Sequence, residues 1–275
     1  MCKPLSYPKR AVIGSAALRR SAGLALILYS TANAGFGADS LNSSCKSATR
    51  SAPDAAAAKI KIVLVGDSTV EIAHGWGPGF AKLLAPTAQC VNWARGGRSS
   101  KSFMAEGLWK KALAEKPDYV LIQFGHNDQP GKGPERETDP KTTYPELMSK
   151  YVDESRAAGA QPVLITSLSR RNFGPNGKIR SSLTDYVNAV KQLAREKDVP
   201  LIDLHAKSIE LLDTLGPKDS AAFDPNPNPD PKNKGPDKTH LSPKGQEVFG
   251  QMVADQLKTV VPALAPYFKT AGASH

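Results

Sequence analysis

Four short segments, far apart in the chain, carry the groups that ester hydrolysis needs: Gly66-Asp67-Ser68-Thr69, Gly96-Gly97-Arg98-Ser99, Gly125-His126-Asn127-Asp128 and Asp237-Lys238-Thr239-His240. A serine hydroxyl is a poor nucleophile until a base takes its proton. Beyond residue 34 the candidate bases are His74, His126, His205, His240 and the terminal His275. His240 has a carboxylate, Asp237, three residues earlier. In a turn leading into a helix, that spacing lets Asp237 reach the second ring nitrogen, fixing the tautomer and stabilising the imidazolium. Negative charge developing on an attacked carbonyl needs pre-aimed donors, each worth about 3 kcal/mol in comparable sites. The N–H groups of Ser68 and Gly97 and the Asn127 amide are the candidates, and a glycine at 97 lets the backbone approach substrate closely. Taken singly, each segment has a plainer reading: a turn at Gly96-Gly97, a loop cap at Asn127, a chance Asp-x-x-His. Their order and context make the case together.

The positions of these segments follow from the elements around them. Apolar, β-branched runs at Ile60–Val65, Cys90–Ala94, Tyr119–Phe124, Pro162–Thr166 and Pro200–Leu204 read as strands, several of them apolar on both faces. Amphipathic stretches at 76–85, 100–115, 143–158, 181–197, 205–214 and 243–258 read as helices between and after them. Ser242-Pro243 is a cap and first-turn pair for the last of these. Five strand–helix alternations predict a three-layer α/β/α sandwich on a five-stranded, mainly parallel sheet with a flavodoxin-like arrangement. Ligands bind such sheets beyond the carboxyl ends of the strands, and Ser68, Gly97 and Asn127 each fall just past one. Two irregular stretches remain, 125–142 and 216–241. The second holds Pro225, Pro227, Pro229 and Pro231 at alternate positions, an extended path, and delivers Asp237 and His240.

The 275 residues are 40% hydrophobic and 23% charged, an ordinary globular balance with length for a sizeable core. The first 34 look separable. Lys3, Lys9, Arg10, Arg19 and Arg20 form a basic region, residues 22–29 an apolar one, and Ala32-Asn33-Ala34 a cleavage site. The expectation is a signal peptide over 1–34 cut near Ala34, a flexible segment over 35–58, and one catalytic domain over 59–275. The protein would then be exported, to the periplasm or the outside medium. Removing five basic and no acidic residues lowers the formal charge from +10 to +5. With no basic run or aromatic-interleaved stripe, nucleic acid is not an expected partner, nor is a membrane in the mature form. A monomer is expected. Cys45 and Cys90 remain after cleavage, an even count in an exported chain, which leaves a disulfide and two unpaired thiols both open.

There is no G-x-S-x-G, no H-E-x-x-H, no Walker loop and no strand-linked G-x-G-x-x-G. The ordered set of Gly66-Asp67-Ser68, Gly97, Gly125-His126-Asn127-Asp128 and Asp237-Lys238-Thr239-His240 resembles the SGNH (GDSL) hydrolase superfamily. Within it, Gly66-Asp67-Ser68-Thr69-Val70, Gly75-Trp76-Gly77, the run from Asn92 to Phe103, Phe124-Gly125-His126-Asn127-Asp128, Arg170-Arg171-Asn172-Phe173 and Thr239-His240-Leu241-Ser242 resemble the rhamnogalacturonan acetylesterases. The likeness runs over about residues 60–258. Position 69 is Thr where the wider superfamily usually has Leu, and the proline-rich stretch 216–236 looks longer than the family's.

The resemblance implies Ser68 as nucleophile, His240 as base, Asp237 as its partner, and Ser68, Gly97 and Asn127 as oxyanion donors. It also implies an acetylated pectic polysaccharide as substrate and no cofactor or metal. Arg98, Lys101, His126, Arg170 and Arg171 are candidate substrate contacts, the cationic ones for galacturonate carboxylates. Trp76 and Trp93 are candidates for sugar stacking or for the core. The rival readings are an esterase acting on acetylated xylan, lipid or a small ester, an acyltransferase, and a catalytically idle carbohydrate-binding protein.

Overall fold

Val63 and Val65 on the first strand pack into one apolar cluster while Ile62 and Leu64 pack into another, so consecutive side chains enter two separate cores. That alternation across a strand with no polar face is what a sheet covered on both sides requires. The computed structural model describes residues 59–229 and 235–270. The expected leader, the segment 35–58, Cys45, Pro231 and His275 lie outside the described residues. Five strands form the sheet: β1 Ile60–Gly66, β2 Ala88–Asn92, β3 Tyr119–Gln123, β4 Gln161–Ile165 and β5 Leu201–Ile202. Their spatial order is β2-β1-β3-β4-β5, and every pairing is parallel. The three-layer α/β fold expected from the strand–helix alternation is the one observed.

The helices are α1 Gly77–Ala81, α2 Ser100–Ala105, α3 Leu108–Ala114, α4 Thr143–Ala157, α5 Thr184–Glu196, α6 Leu204–Ser220 and α7 Pro243–Val260. Trp76, Phe80, Leu212, Phe249 and Val253 cover one sheet face. Phe103, Trp109, Tyr144, Tyr151 and Val190 cover the other. The stretch 100–115 is not one helix: Gly107 takes φ 72°, a left-handed conformation that ends α2 before α3 begins. The helix expected over 205–214 runs on to Ser220, with a break at Gly216 ahead of Pro217. The Ser242 side chain accepts from Gly245 N and Pro243 occupies the first turn, as the cap pair predicts. In this strand order the chain leaves β1 first for β2 on one side and later for β3 on the other. The crevice at that switch point opens beyond the carboxyl ends of β1 and β3.

Candidate active site

Ser68 sits in the turn that ends β1, where Val70 N and Glu71 N both donate to Asp67 O, at 3.1 and 3.2 Å. It is 8% exposed. Among the described residues no hydrogen bond engages its hydroxyl or its N–H. A polar chain lies beneath it. Trp76 Nε1 donates to Gln123 Oε1 (2.9 Å), Gln123 Nε2 to Thr69 Oγ1 (2.6 Å), and Thr69 Oγ1 and N to Asp67 Oδ1 (2.7 and 2.8 Å). Thr at position 69 is thus the hydroxyl that joins β3 to the buried Asp67 carboxylate. Burial opposes ionisation of Asp67, but His126 and Thr69 outweigh it and hold its pKa below the usual value. Trp76 is wholly buried in this chain and presents no face to a sugar.

The two other donor segments are tied to each other. Gly97 has φ 76°, a left-handed conformation that disfavours any side chain there. Asn127 Nδ2 donates to Arg98 O at 3.1 Å, fixing the side chain against the Gly97 loop and leaving its second amide proton unspent. Behind both stands Asp128, fully buried. Its carboxylate accepts from Ser100 N (3.1 Å), Ser100 Oγ (2.5 Å), Gly125 N (3.0 Å) and Thr138 Oγ1 (3.2 Å). Burial pushes its pKa up to about 7, against the pull of the Ser100 and Thr138 bonds. One buried carboxyl group therefore joins the start of α2, the end of β3 and the following loop.

Asp237 and His240 meet as the sequence spacing predicts. His240 Nδ1 is 2.6 Å from Asp237 Oδ2, while Asp237 Oδ1 accepts from Thr239 N (2.8 Å) and His240 N (2.9 Å). Burial works against a charged imidazole, yet the bond and charge of Asp237, with Asp67 and Glu71 adding, raise the His240 pKa above its ordinary value. Asp237 is lowered by the same bonds despite its own burial. Three contacts place this turn. Leu241 N donates to His74 O at 2.9 Å, bringing His240 against the segment that follows Ser68, with the His74 and His240 rings 6.1 Å apart. Ser242 N and Oγ donate to Phe223 O and Ala222 O, both at 2.8 Å, so the ends of the 224–241 loop close on each other. Arg171 supplies the third.

Arg171 lies elsewhere than a substrate contact would. It is 1% exposed, and its Nε pairs with Asp224 at 2.5 Å. Its Nη2 donates to Asp237 O (2.9 Å) and His240 O (2.5 Å), and its backbone N to Lys238 O (2.8 Å). Lys238 pairs with the other oxygen of Asp224. The guanidinium is turned into the protein, where it holds carbonyls of the long loop together with Asp224. Of the other expected contacts, Arg98 pairs with Glu106 and Gly96 O, and Lys101 Nζ donates to Pro134 O. His126 is buried beside Asp67, its Nδ1 at 3.5 Å from Oδ2, and neither ring nitrogen has a hydrogen-bond partner among the described residues. Arg170 is half-buried, donating to Gln129, Ser182 and His126 O. Trp93 Nε1 reaches Glu115.

His205 is satisfied on both nitrogens, Nδ1 by Ser167 O (2.9 Å) and Nε2 by Ser181 Oγ (3.0 Å). Among the described residues Cys90 has no disulfide partner, and burial pushes its thiol pKa up to about 12. Among the described residues no three His, Cys, Asp or Glu side chains gather to hold a metal ion, and no helix is long and apolar enough to cross a membrane. Gln123, Glu71 and Asp224 carried no sequence signal. Glu71 accepts from Gly96 N at 2.7 Å, linking the Ser68 and Gly97 segments. The Asp128 role was open to sequence reading only as the residue next to Asn127.

Residues 64–248 match the GDSL-like lipase/acylhydrolase family. The chain is 39% identical to the rhamnogalacturonan acetylesterase RhgT of Bacillus subtilis (strain 168), over 72% of this chain and 90% of that one. It is 30% identical to the rhamnogalacturonan acetylesterase of Emericella nidulans, over 73% of this chain and 84% of the other. Among solved structures, the acetylxylan esterase Axe2 of Geobacillus stearothermophilus shares the fold with a TM-score of 0.54 at 18% identity, over 74% of this chain and 94% of its own.

Proposed function

The chain belongs to the GDSL-like lipase/acylhydrolase family, and on that premise we propose that it is a serine carbohydrate esterase removing acetyl groups from rhamnogalacturonan. The observation that carries the reading is the His240–Asp237 pair at 2.6 Å, held against a segment whose Ser68 hydroxyl has no competing partner. Ser68 Oγ attacks the acetyl carbonyl as His240 Nε2 takes its proton. The N–H groups of Ser68 and Gly97 and the Asn127 amide receive the oxyanion. The imidazolium, stabilised by Asp237, then gives its proton to the departing sugar oxygen. Water attacks the acetyl-enzyme with His240 again as base, and acetate leaves. No step calls for a cofactor or a metal ion.

The substrate class rests on the relatives that carry the name rhamnogalacturonan acetylesterase at 39% and 30% identity. A polymeric substrate fits export, which the basic and apolar regions before Ala34 support. Acetate release from acetylated rhamnogalacturonan, acetylated xylan and p-nitrophenyl acetate tests the assignment. Preferential release from the pectic polymer is expected. Release from p-nitrophenyl acetate alone would keep the chemistry and discard the substrate.

A further inference from the structure

Cations that are partly withdrawn from water normally have a carboxylate against them, because desolvating a lone charge is costly. Beside the oxyanion segment two cations depart from that habit in their direct contacts, although the charge of the buried Asp67 reaches Arg170. Arg170 spends Nη1 on Gln129 Oε1 (2.7 Å) and Ser182 Oγ (2.9 Å) and Nη2 on His126 O (3.3 Å), all neutral acceptors. The ammonium of Lys132, half-buried on the loop after Asn127, has no hydrogen bond or ion pair among the described residues, while its backbone N–H faces the Glu137 carboxylate. Gly131 and Gly133 flank Lys132 at φ 87° and 98°, and the Glu137 carboxylate is turned onto Gly133 N at 2.8 Å. Arg170 Nη1 holds Gln129, three residues before Lys132, and Arg136 N donates to Gly133 O at 2.9 Å, so all three cations meet on this loop. Partial burial and then the charges of Arg170 and Arg136 push the Lys132 ammonium below its ordinary pKa. Arg136 pairs with the exposed Glu135 at 3.5 Å, and its charge also reaches Glu137.

We propose that Lys132 and Arg170 form a carboxylate-binding subsite next to the oxyanion hole, which takes a uronate group of the polysaccharide. This deepens the reading above and rests on it. Arg170 Nη2 is bonded to the carbonyl of His126, the residue before Asn127, so an anion held there lies along the cleft from the acetyl group. The guanidinium retains Nε and an Nη2 proton for a planar acceptor, and Lys132 supplies a point charge. An arriving carboxylate relieves the repulsion between the cations.

Calorimetric titration of the full-length protein with deacetylated rhamnogalacturonan oligosaccharide tests the proposal without requiring turnover. The same oligosaccharide with its carboxylates methyl-esterified is the neutral control. The free-acid oligosaccharide should bind more tightly than the ester, and Lys132→Ala should weaken it by about tenfold while hardly changing the ester. Lys132→Glu should weaken it further, Lys132→Arg should restore most of the affinity, and Lys110→Ala on α3 should leave it unchanged. Equal affinity of acid and ester, no binding of either, or equal affinity of wild type and Lys132→Glu would each overturn the subsite. Wild type that binds the acid form by this pattern yet releases no acetate from the acetylated polymer would instead overturn the esterase assignment alone.

Discussion

Arg171 Nη2 lies 2.5 Å from the carbonyl oxygen of His240, and the same nitrogen reaches the carbonyl of Asp237 at 2.9 Å. The proposed base and its partner are therefore held from behind by one buried cation at the end of the segment following β4. With the Phe223–Ser242 closure, this explains how a loop running through Pro225, Pro227 and Pro229 can still place an imidazole: in sequence the prolines lie between Asp224 and Asp237, both held by Arg171.

Arg171→Met removes that anchor and leaves Asp224 with Lys238 alone. Breaking a buried pair of this kind costs about 3 kcal/mol, which for a domain of this size lowers Tm by about 6–12 °C. Activity on p-nitrophenyl acetate should fall in kcat more than KM, since the base is displaced and not the substrate. Arg171→Lys should recover more stability than kcat, because a lysine cannot serve Asp224 and two carbonyls at once. Thermal melts and steady-state kinetics of both variants check this.

The raised His240 pKa fixes the direction of the pH dependence. The base must be neutral to accept the serine proton, so kcat/KM rises with pH and is lost as pH falls through the His240 value. Because Asp237 holds the imidazolium, the midpoint should lie above the ordinary histidine value of about 6.5. Asp237→Asn removes the charge while burial remains, so the midpoint should move down and the plateau kcat should drop by about 10⁴-fold. A variant profile with the wild-type midpoint would separate His240 from the rate.

Asp128 is predicted to act through the groups it holds. Asn127→Ala should cost about 10²–10³ in kcat as the proposed oxyanion donor is lost. Asp128→Asn turns one acceptor into a donor facing Ser100 N or Gly125 N, and should lower kcat while leaving substrate KM nearly unchanged. Asp128→Glu, too long for the four donors, should not rescue it. Kinetics on a small ester and on the polymer would show the same loss, since the defect lies in the hole and not in the sugar contacts.

The sheet was readable because β1, β3 and β4 are apolar runs long enough to cross a covered sheet, and the alternation with helices leaves few topologies. Ser68, Gly97 and Asn127 could be proposed together because strand ends converge in such a sheet, and the Asp237–His240 contact was legible because a three-residue spacing suffices for it. Arg171 was misread as a substrate contact: an arginine beside another arginine looks exposed in sequence, and only the folded loop shows the carbonyls it serves. The Trp76–Gln123–Thr69–Asp67 chain was invisible for a related reason, since its members come from separate elements and none has a local pattern. The break at Gly107 was missed because the apolar spacing continues through it.

The central claim is that Ser68 is the nucleophile of an acetylesterase. Acetate release from acetylated rhamnogalacturonan, measured for wild type and Ser68→Ala side by side with thermal melts of both, tests it directly. The account predicts release by wild type and a fall of at least about 10⁴-fold in the variant, with an unchanged Tm. Wild-type rates in a folded Ser68→Ala protein would contradict it.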